Sequence, residues 1–151
     1  MIIERLFTAL LTIALWSPAL SPIAYAATAR IVAVTLQDSS GDPSNSAMVI
    51  KADTTKVKAG PVTFEAVNRS KGLVHEVLVV PAPSGGRELP YDGKTSTIIE
   101  KRVHSLGEIS ELTPGARGKV TLNLKAGTYI LLCNQPGHYK SGMSTEFVVE
   151  K

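Results

Sequence analysis

The stretch YILLCNQPGHYKSGMSTEF, residues 129–147, contains the single cysteine of the chain between two predicted strands. Its apolar run at 129–133 predicts a strand, and the alternation at 145–150 predicts a second one. The intervening NQPGHYKSG contains one proline and two glycines, residue types that shape tight turns. Cys133, His138 and Met143 follow one another at intervals of five residues. Two strands joined by a tight loop would bring these three side chains together at one end of a sheet.

Alternating apolar and polar residues recur through the rest of the chain. VTFEA at 62–66 and VTLNL at 120–124 place an apolar residue at every second position. This period predicts strands with one buried face, and turn signals such as NRSKG and TPGARG separate them. Seven or eight short strands of this kind predict an all-β fold, a single-domain sandwich of two antiparallel sheets with Greek-key connections. The candidate strands are 31–37, 47–52, 61–68, 73–80, 108–112, 119–125, 129–133 and 145–150, whereas 85–107 stays unassigned.

The N-terminal residues have the pattern of a secretory signal. Arg5 precedes an apolar run at 6–16, and the small-residue triplet Ala-Tyr-Ala ends at Ala26. This pattern predicts a signal peptide at 1–26 that is cleaved after Ala26, which leaves 27–151 as one domain. The alternative is an uncleaved membrane anchor, but the apolar run is shorter than the roughly 20 residues that a bilayer span needs. We therefore expect a periplasmic or otherwise exported protein.

The single cysteine is unusual in an exported chain. Export places thiols where they oxidise and pair, yet Cys133 has no second cysteine to pair with. A buried, inert thiol is the simpler explanation. A thiolate held by a metal is the other, and it accounts for His138 and Met143 as well. His75 would supply a second imidazole, because strands distant in sequence are often neighbours in a Greek key.

One thiolate, two imidazoles and one thioether are a donor set that suits copper. Soft sulfur favours Cu(I), and a trigonal His-His-Cys site with a weak axial methionine is the blue-copper arrangement of electron-transfer proteins. Zinc would more commonly take further cysteines, histidines or carboxylates in place of a methionine. We therefore predict one copper ion, cycling between Cu(I) and Cu(II), with His75, Cys133, His138 and Met143 as its ligands.

Three segments also carry a family resemblance: VTFEAVNRSKGLVHEVLVV at 62–80, ELTPGARGKVTLNLKAG at 111–127 and AGTYILLCNQPGHYKSGM at 126–143. From about Met48 to the C-terminus, the chain resembles the small bacterial cupredoxins of the plastocyanin, auracyanin and sulfocyanin kind. The resemblance implies a Greek-key β-sandwich with a mononuclear blue-copper site. By position it carries over the same four ligands, with the two imidazoles, the thiolate and an axial thioether in those roles.

The chain departs from this family at one position beside the predicted site. Plastocyanin-like sequences usually have an asparagine after the first histidine ligand, where this chain has Glu76. Such an asparagine makes a hydrogen bond towards the cysteine loop, and groups of this kind orient metal ligands and tune the metal. The substitution therefore leaves that hydrogen bond, and the reduction potential, open at this point.

The charge pattern limits the partners. The net charge is +3, and the basic residues are scattered without a run of five or more, so nucleic-acid binding is not indicated. We expect a monomer that has no small-molecule substrate and exchanges electrons with protein redox partners. An apolar patch around the edge of His138, rimmed by basic residues that would steer an acidic partner, is predicted to be the docking surface. Its candidate members are Leu73, Val74, Pro136, Gly137 and Tyr139, with Lys71 and Lys140 at the rim.

Other functions fit the sequence less well. An enzyme with Cys133 as nucleophile and His138 as base leaves Met143 unexplained and lacks an orienting third group. Copper oxidases need more histidines than the three present, and His104 is expected to face solvent. We therefore predict no enzyme activity. A periplasmic copper carrier or storage protein is the alternative that stays open, although carriers tend to expose Met- and His-rich tracts. A metal-free adhesion or scaffold sandwich is the third option.

Overall fold

The computed structural model describes residues 28–38, 48–86 and 88–151. The predicted signal peptide lies outside these residues, and no helix among them is long and apolar enough to cross a bilayer. The described part of the chain contains two short 3₁₀ turns, Ser84–Gly86 and Glu100–Arg102. Its strands are β1 (Arg30–Asp38), β2 (Met48–Ala52), β3 (Lys56–Lys58), β4 (Gly60–Asn68), β5 (His75–Pro81), β6 (Tyr91–Asp92), β7 (Thr97–Ile98), β8 (Gly107–Leu112), β9 (Arg117–Leu124), β10 (Gly127–Leu132) and β11 (Ser144–Glu150).

The longer strands form two sheets, which confirms the predicted all-β sandwich. One sheet has the order β2-β1-β4-β9, and the other has the order β3-β11-β10-β5-β8. The prediction that the sheets are antiparallel is wrong for two strand pairs, because β1 runs parallel to β4 and β3 runs parallel to β11. After β2, the chain crosses to β3 in the other sheet and then returns to the first sheet as β4. β4 therefore runs in the same direction as β1.

The inward residues of both sheets build one core. On β1, Val32, Val34 and Leu36 are at most 1% exposed, as the alternation of apolar and polar residues predicts. Phe64 on β4 and Phe147 on β11 meet in the middle of the sandwich, with ring centroids 5.1 Å apart and ring planes at 71°. Cys133 and Met143 belong to the same buried cluster. The ends of β10 and β11 are thus anchored in the core.

β5 is buried on both faces. Val77 and Val79 enter the core between the sheets, whereas Leu78 and Val80 belong to a second buried cluster with Leu89, Ile98 and Leu132. The segment that sequence patterns left unassigned supplies the cover, because its β6–β7 hairpin contributes Ile98 and Tyr91 to this cluster. A strand covered on both sides reads as a continuous apolar run, which is what VLVV at 77–80 is.

Candidate metal centre

The loop between β10 and β11 is closed at its base. The two strands are antiparallel neighbours, and Leu132 lies opposite Ser144. One step into the loop, the Cys133 N–H donates a hydrogen bond to the Met143 carbonyl over 3.1 Å. Cys133 and Met143 therefore face each other where the strands end, as the sequence predicted.

Internal hydrogen bonds fix the path of this loop. The His138 N–H donates to the Gln135 carbonyl, and the Met143 N–H donates to the His138 carbonyl, each over 3.0 Å. Gly137 and Gly142 have φ angles of 83° and 90°, which side-chain-bearing residues rarely adopt. The two glycines thus permit the turns that carry His138 back over the end of the sandwich.

His75 reaches the same place from the neighbouring strand. It is the first residue of β5, two residues later than the predicted strand start, and β5 pairs with β10. The pairing of β5 with β8 shifts register between His75 and Val77, as in a β-bulge. Bulges redirect side chains at sheet ends and beside functional sites. This irregularity lets His75 face Cys133 from the end of the strand.

Three of the four predicted ligands lie within bonding reach of a single ion. The Nδ1 atoms of His75 and His138 are 3.2 Å apart, and Sγ of Cys133 lies 3.8 Å from the first and 3.4 Å from the second. A point equidistant from three such atoms lies about 2 Å from each, close to the roughly 2.0–2.3 Å typical of metal bonds to imidazole nitrogen and thiolate sulfur. The donor set and its spacing therefore fit one metal ion.

Met143 joins this group through the backbone. Its side chain is fully buried in the same cluster as Cys133. Its N–H and carbonyl are bonded to His138 and Cys133 respectively. The structure thus brings together the predicted residues of the loop, and places His75 beside them.

The ligand candidates are electrically neutral when no metal is bound. Burial, followed by the repulsion from His138, lowers the pKa of His75 to about 4. Burial also lowers the pKa of His138, and nearby Asp38 opposes this effect. Burial raises the pKa of the Cys133 thiol to about 11, although backbone N–H groups of Gln135 and Glu76 favour the thiolate. Near neutral pH, the site consequently holds two unprotonated imidazoles and a thiol, and a cation must displace the thiol proton.

Solved structures with the same architecture include several copper proteins. Auracyanin from Roseiflexus castenholzii matches with a TM-score of 0.53 and 18% identity over 83% of this chain and 99% of that chain. Rusticyanin from Thiobacillus ferrooxidans matches with a TM-score of 0.55 and 21% identity over 82% and 79%. Auracyanin A from Chloroflexus aurantiacus, a "blue" copper protein, gives 0.51 and 23% over 80% and 99%. The fold is that of the cupredoxins. No protein-family model matches the sequence, and neither does any curated protein.

In this cupredoxin fold, Glu76 makes the hydrogen bonds towards the cysteine loop that its sequence position left open. Its Oε1 accepts a hydrogen bond from the Asn134 N–H over 2.9 Å, and its Oε2 accepts one from the Gln135 side chain over 3.4 Å. Its own N–H points at the Cys133 sulfur, 3.5 Å away. Burial raises the pKa of Glu76, and the two hydrogen bonds oppose that rise. A carboxylate therefore ties β5 to the loop.

Glu76→Ala is expected to lower the free energy of unfolding of the metal-free protein by about 1–2 kcal/mol, a value reduced from that of buried charged hydrogen bonds because Glu76 is half-buried. Glu76→Gln keeps an acceptor for the Asn134 N–H and should lose less. Urea denaturation measures the difference. Glu65→Ala on the exposed face of β4 is the matched control, with an expected change within about 0.5 kcal/mol. Equal losses for alanine at 76 and at 65 would contradict the bracing role of Glu76.

Asn134 is a second bracing residue that sequence patterns did not identify. Its Oδ1 accepts from the Ile98 N–H over 2.6 Å, and its Nδ2 donates to the Ile98 carbonyl and to Glu100 over 3.1 and 2.8 Å. The Gly137 N–H donates to the Ser96 carbonyl over 2.7 Å. The β6–β7 hairpin is therefore hydrogen-bonded to the loop between β10 and β11. The only sequence signal was an asparagine directly after Cys133.

The members of the predicted docking patch differ in their exposure and contacts. Leu73 is 38% exposed, whereas His138 is 9% exposed. Tyr139 packs instead on the second buried cluster, with its ring centroid 6.4 Å from that of Tyr91. Lys140 pairs with Glu88 over 3.3 Å, so its charge is partly neutralised. His104 is exposed as predicted.

Proposed function

We propose that this protein is a mononuclear blue-copper protein that carries single electrons between protein redox partners. His75, Cys133 and His138 would hold the copper ion, with Met143 as the weak axial thioether. The bound ion supplies one-electron exchange between Cu(I) and Cu(II). The observation that carries the proposal is the close approach of two imidazole nitrogens and one thiol sulfur, all within 4.8 Å of one another, at one end of a cupredoxin fold.

The identity of the metal follows from the donor atoms. A single thiolate with two imidazoles and a nearby thioether matches the donor preference of copper in electron-transfer proteins. Closed structural zinc sites take further cysteines or histidines, and the described residues offer only His75, Cys133 and His138 as a cluster of such donors. Copper is therefore the metal that this set favours.

The surroundings of the site suit electron transfer. His75, Cys133 and Met143 are 0% exposed, and the loop that carries the last two is bonded to itself, to Glu76 and to the β6–β7 hairpin. Ligands held so firmly would move little between the two oxidation states. His138 keeps a small exposed edge, so electrons would enter and leave there. The partners would be proteins that dock around this edge.

The burial of the ligands favours an electron carrier over a copper carrier. A protein that delivers copper must release it to an acceptor, whereas these ligands are covered and braced. Repeated reduction and reoxidation of the loaded protein should leave the metal content unchanged. Loss of copper at each cycle would favour the carrier or storage function instead.

We further propose that the protein works beyond the inner membrane. The N-terminal pattern supports export with cleavage after Ala26, and the thiol without a disulfide partner fits a metal ligand in an oxidising compartment. Fractionation of cells with N-terminal sequencing of the mature protein tests this. A mature chain that begins at Ala27 in the periplasmic fraction is the expected result.

Visible absorption tests the proposed function directly. Residues 27–151 with one equivalent of Cu(II) should develop an intense thiolate-to-copper band, which ascorbate removes and reoxidation restores. Cys133→Ser should show no such band, because the serine oxygen is not a thiolate. A wild-type protein without the band, or a serine variant that retains it, would contradict the proposed function.

A further inference from the structure

The second ring nitrogen of His75 has a buried partner. While Nδ1 faces Cys133 and His138, Nε2 lies 2.5 Å from the hydroxyl oxygen of Ser70. His75 is 0% exposed and Ser70 is 6% exposed, so water does not replace this contact. A buried ring nitrogen without its hydrogen-bond partner would be left unsatisfied, which is unfavourable. The Ser70 hydroxyl is thus the partner of the ring nitrogen that does not face Cys133 and His138.

The position of Ser70 is itself fixed by a buried asparagine. The Ser70 N–H donates to Oδ1 of Asn68 over 2.9 Å. Nδ2 of Asn68 donates to the carbonyls of Leu73 and Leu112 over 2.8 and 2.7 Å, and Asn68 is 0% exposed. These bonds join the end of β4, the turn before β5 and the end of β8. Ser70 is therefore held in place by a polar scaffold whose hydrogen bonds do not involve the His75 ring.

We propose that Ser70 is the positioning residue for His75 and sets its tautomer; this inference rests on the proposed copper site. A neutral imidazole carries one proton, and a proton on Nε2 leaves the Nδ1 lone pair free for a metal. The Ser70 oxygen accepts the Nε2–H, so the ring is held with Nδ1 turned towards Cys133 and His138. Hydrogen bonds to the outer nitrogen of ligating histidines fix the ring in this way, and their loss typically weakens metal binding by about 10–100-fold.

Copper affinity of three variants tests the proposal. Ser70→Ala is expected to bind Cu(I) about 10–100-fold more weakly in competition with a chelator, whereas Ser70→Thr, which keeps a hydroxyl, should recover most of the loss. Thr63→Ala is the matched control, because Thr63 also has a buried hydroxyl but lies on β4 and bonds Thr121 over 2.8 Å within the first sheet. It should lose stability and keep the wild-type affinity. Wild-type affinity in Ser70→Ala, or an equal loss in Thr63→Ala, would overturn the proposal.

Nitrogen-15 NMR of the wild-type protein gives an answer even if Ser70→Ala fails to fold. In the metal-free and the Cu(I)-loaded protein at neutral pH, His75 should carry its proton on Nε2, in slow exchange with water. A proton on Nδ1 of the metal-free protein, or a rapidly exchanging Nε2–H, would overturn the positioning role. The two proposals fail separately: absence of the thiolate-to-copper band in wild type contradicts the function, whereas a normal band with the wrong tautomer contradicts only the role of Ser70.

Discussion

Phe64→Ala is expected to lower the free energy of unfolding of the metal-free protein by about 3–5 kcal/mol. Phe64 is 0% exposed and lies between the two sheets, with its ring against the ring of Phe147. Alanine would remove this aromatic contact and leave a cavity that the surrounding strands fill only in part. Because Cys133 and Met143 belong to the same core, the loss also loosens the sheet ends that carry the metal loop.

Chemical denaturation measures this loss, with Ile31→Ala as the control. Ile31 is an apolar residue of β1 that is 54% exposed, so its truncation should change stability by no more than about 0.5 kcal/mol. Copper binds the folded state, and an excess of about 100 times the dissociation constant would return about 2.7 kcal/mol to the variant. A loss below that of Ile31→Ala would contradict the central position of Phe64.

Acid is expected to destabilise the metal-free protein through His75 by about 3 kcal/mol between neutral pH and about pH 4, at about 1.36 kcal/mol per pKa unit. The pKa of His75 is about 4 in the folded protein, compared with 6.5 for an unperturbed imidazole, because the ring is buried. Between these two values the unfolded chain takes up a proton that the folded protein does not. The stability is therefore fully present above the unfolded pKa and is lost as the pH falls towards the folded one.

The contribution of His75 is isolated by comparison with His75→Asn. Denaturation curves of the two metal-free proteins across this pH range should diverge, with the wild type losing more stability in acid. Glu76 acts in the opposite direction, because its raised pKa gives stability at low pH that is lost as the pH rises, but it is present in both proteins. Parallel pH profiles would contradict the burial of a neutral His75.

Most of the strands could be predicted from the sequence because each carries its own pattern. Alternation predicted β4 and β9, and apolar runs before turn residues predicted β5 and β10. The three strands that the patterns missed are β3, β6 and β7, which span only two or three residues each. Stretches that short contain too few residues to show a period, and their formation depends on the strands or turns beside them.

Some residues of the candidate metal centre could likewise be predicted from the sequence, and others could not. Cys133, His138 and Met143 lie on one loop, so their spacing already predicted that they meet. Glu76 and Ser70 gave no pattern of their own, since a single carboxylate or hydroxyl in a sequence has many ordinary uses. Glu76 acts through hydrogen bonds to residues that lie 57–59 positions away in the chain. Ser70 is held in place by Asn68.

An all-β sandwich with a soft donor set at one end could be predicted from the sequence alone, because strand periodicity and ligand chemistry are local properties of the chain. The structure was needed to show that two strand pairs run parallel, that the segment around β6 and β7 covers the second face of β5, and that Glu76, Asn134 and Ser70 make hydrogen bonds at the candidate metal centre. These features depend on hydrogen bonds and packing between residues far apart in sequence. A linear pattern does not record such contacts, since they form only when the sheets come together.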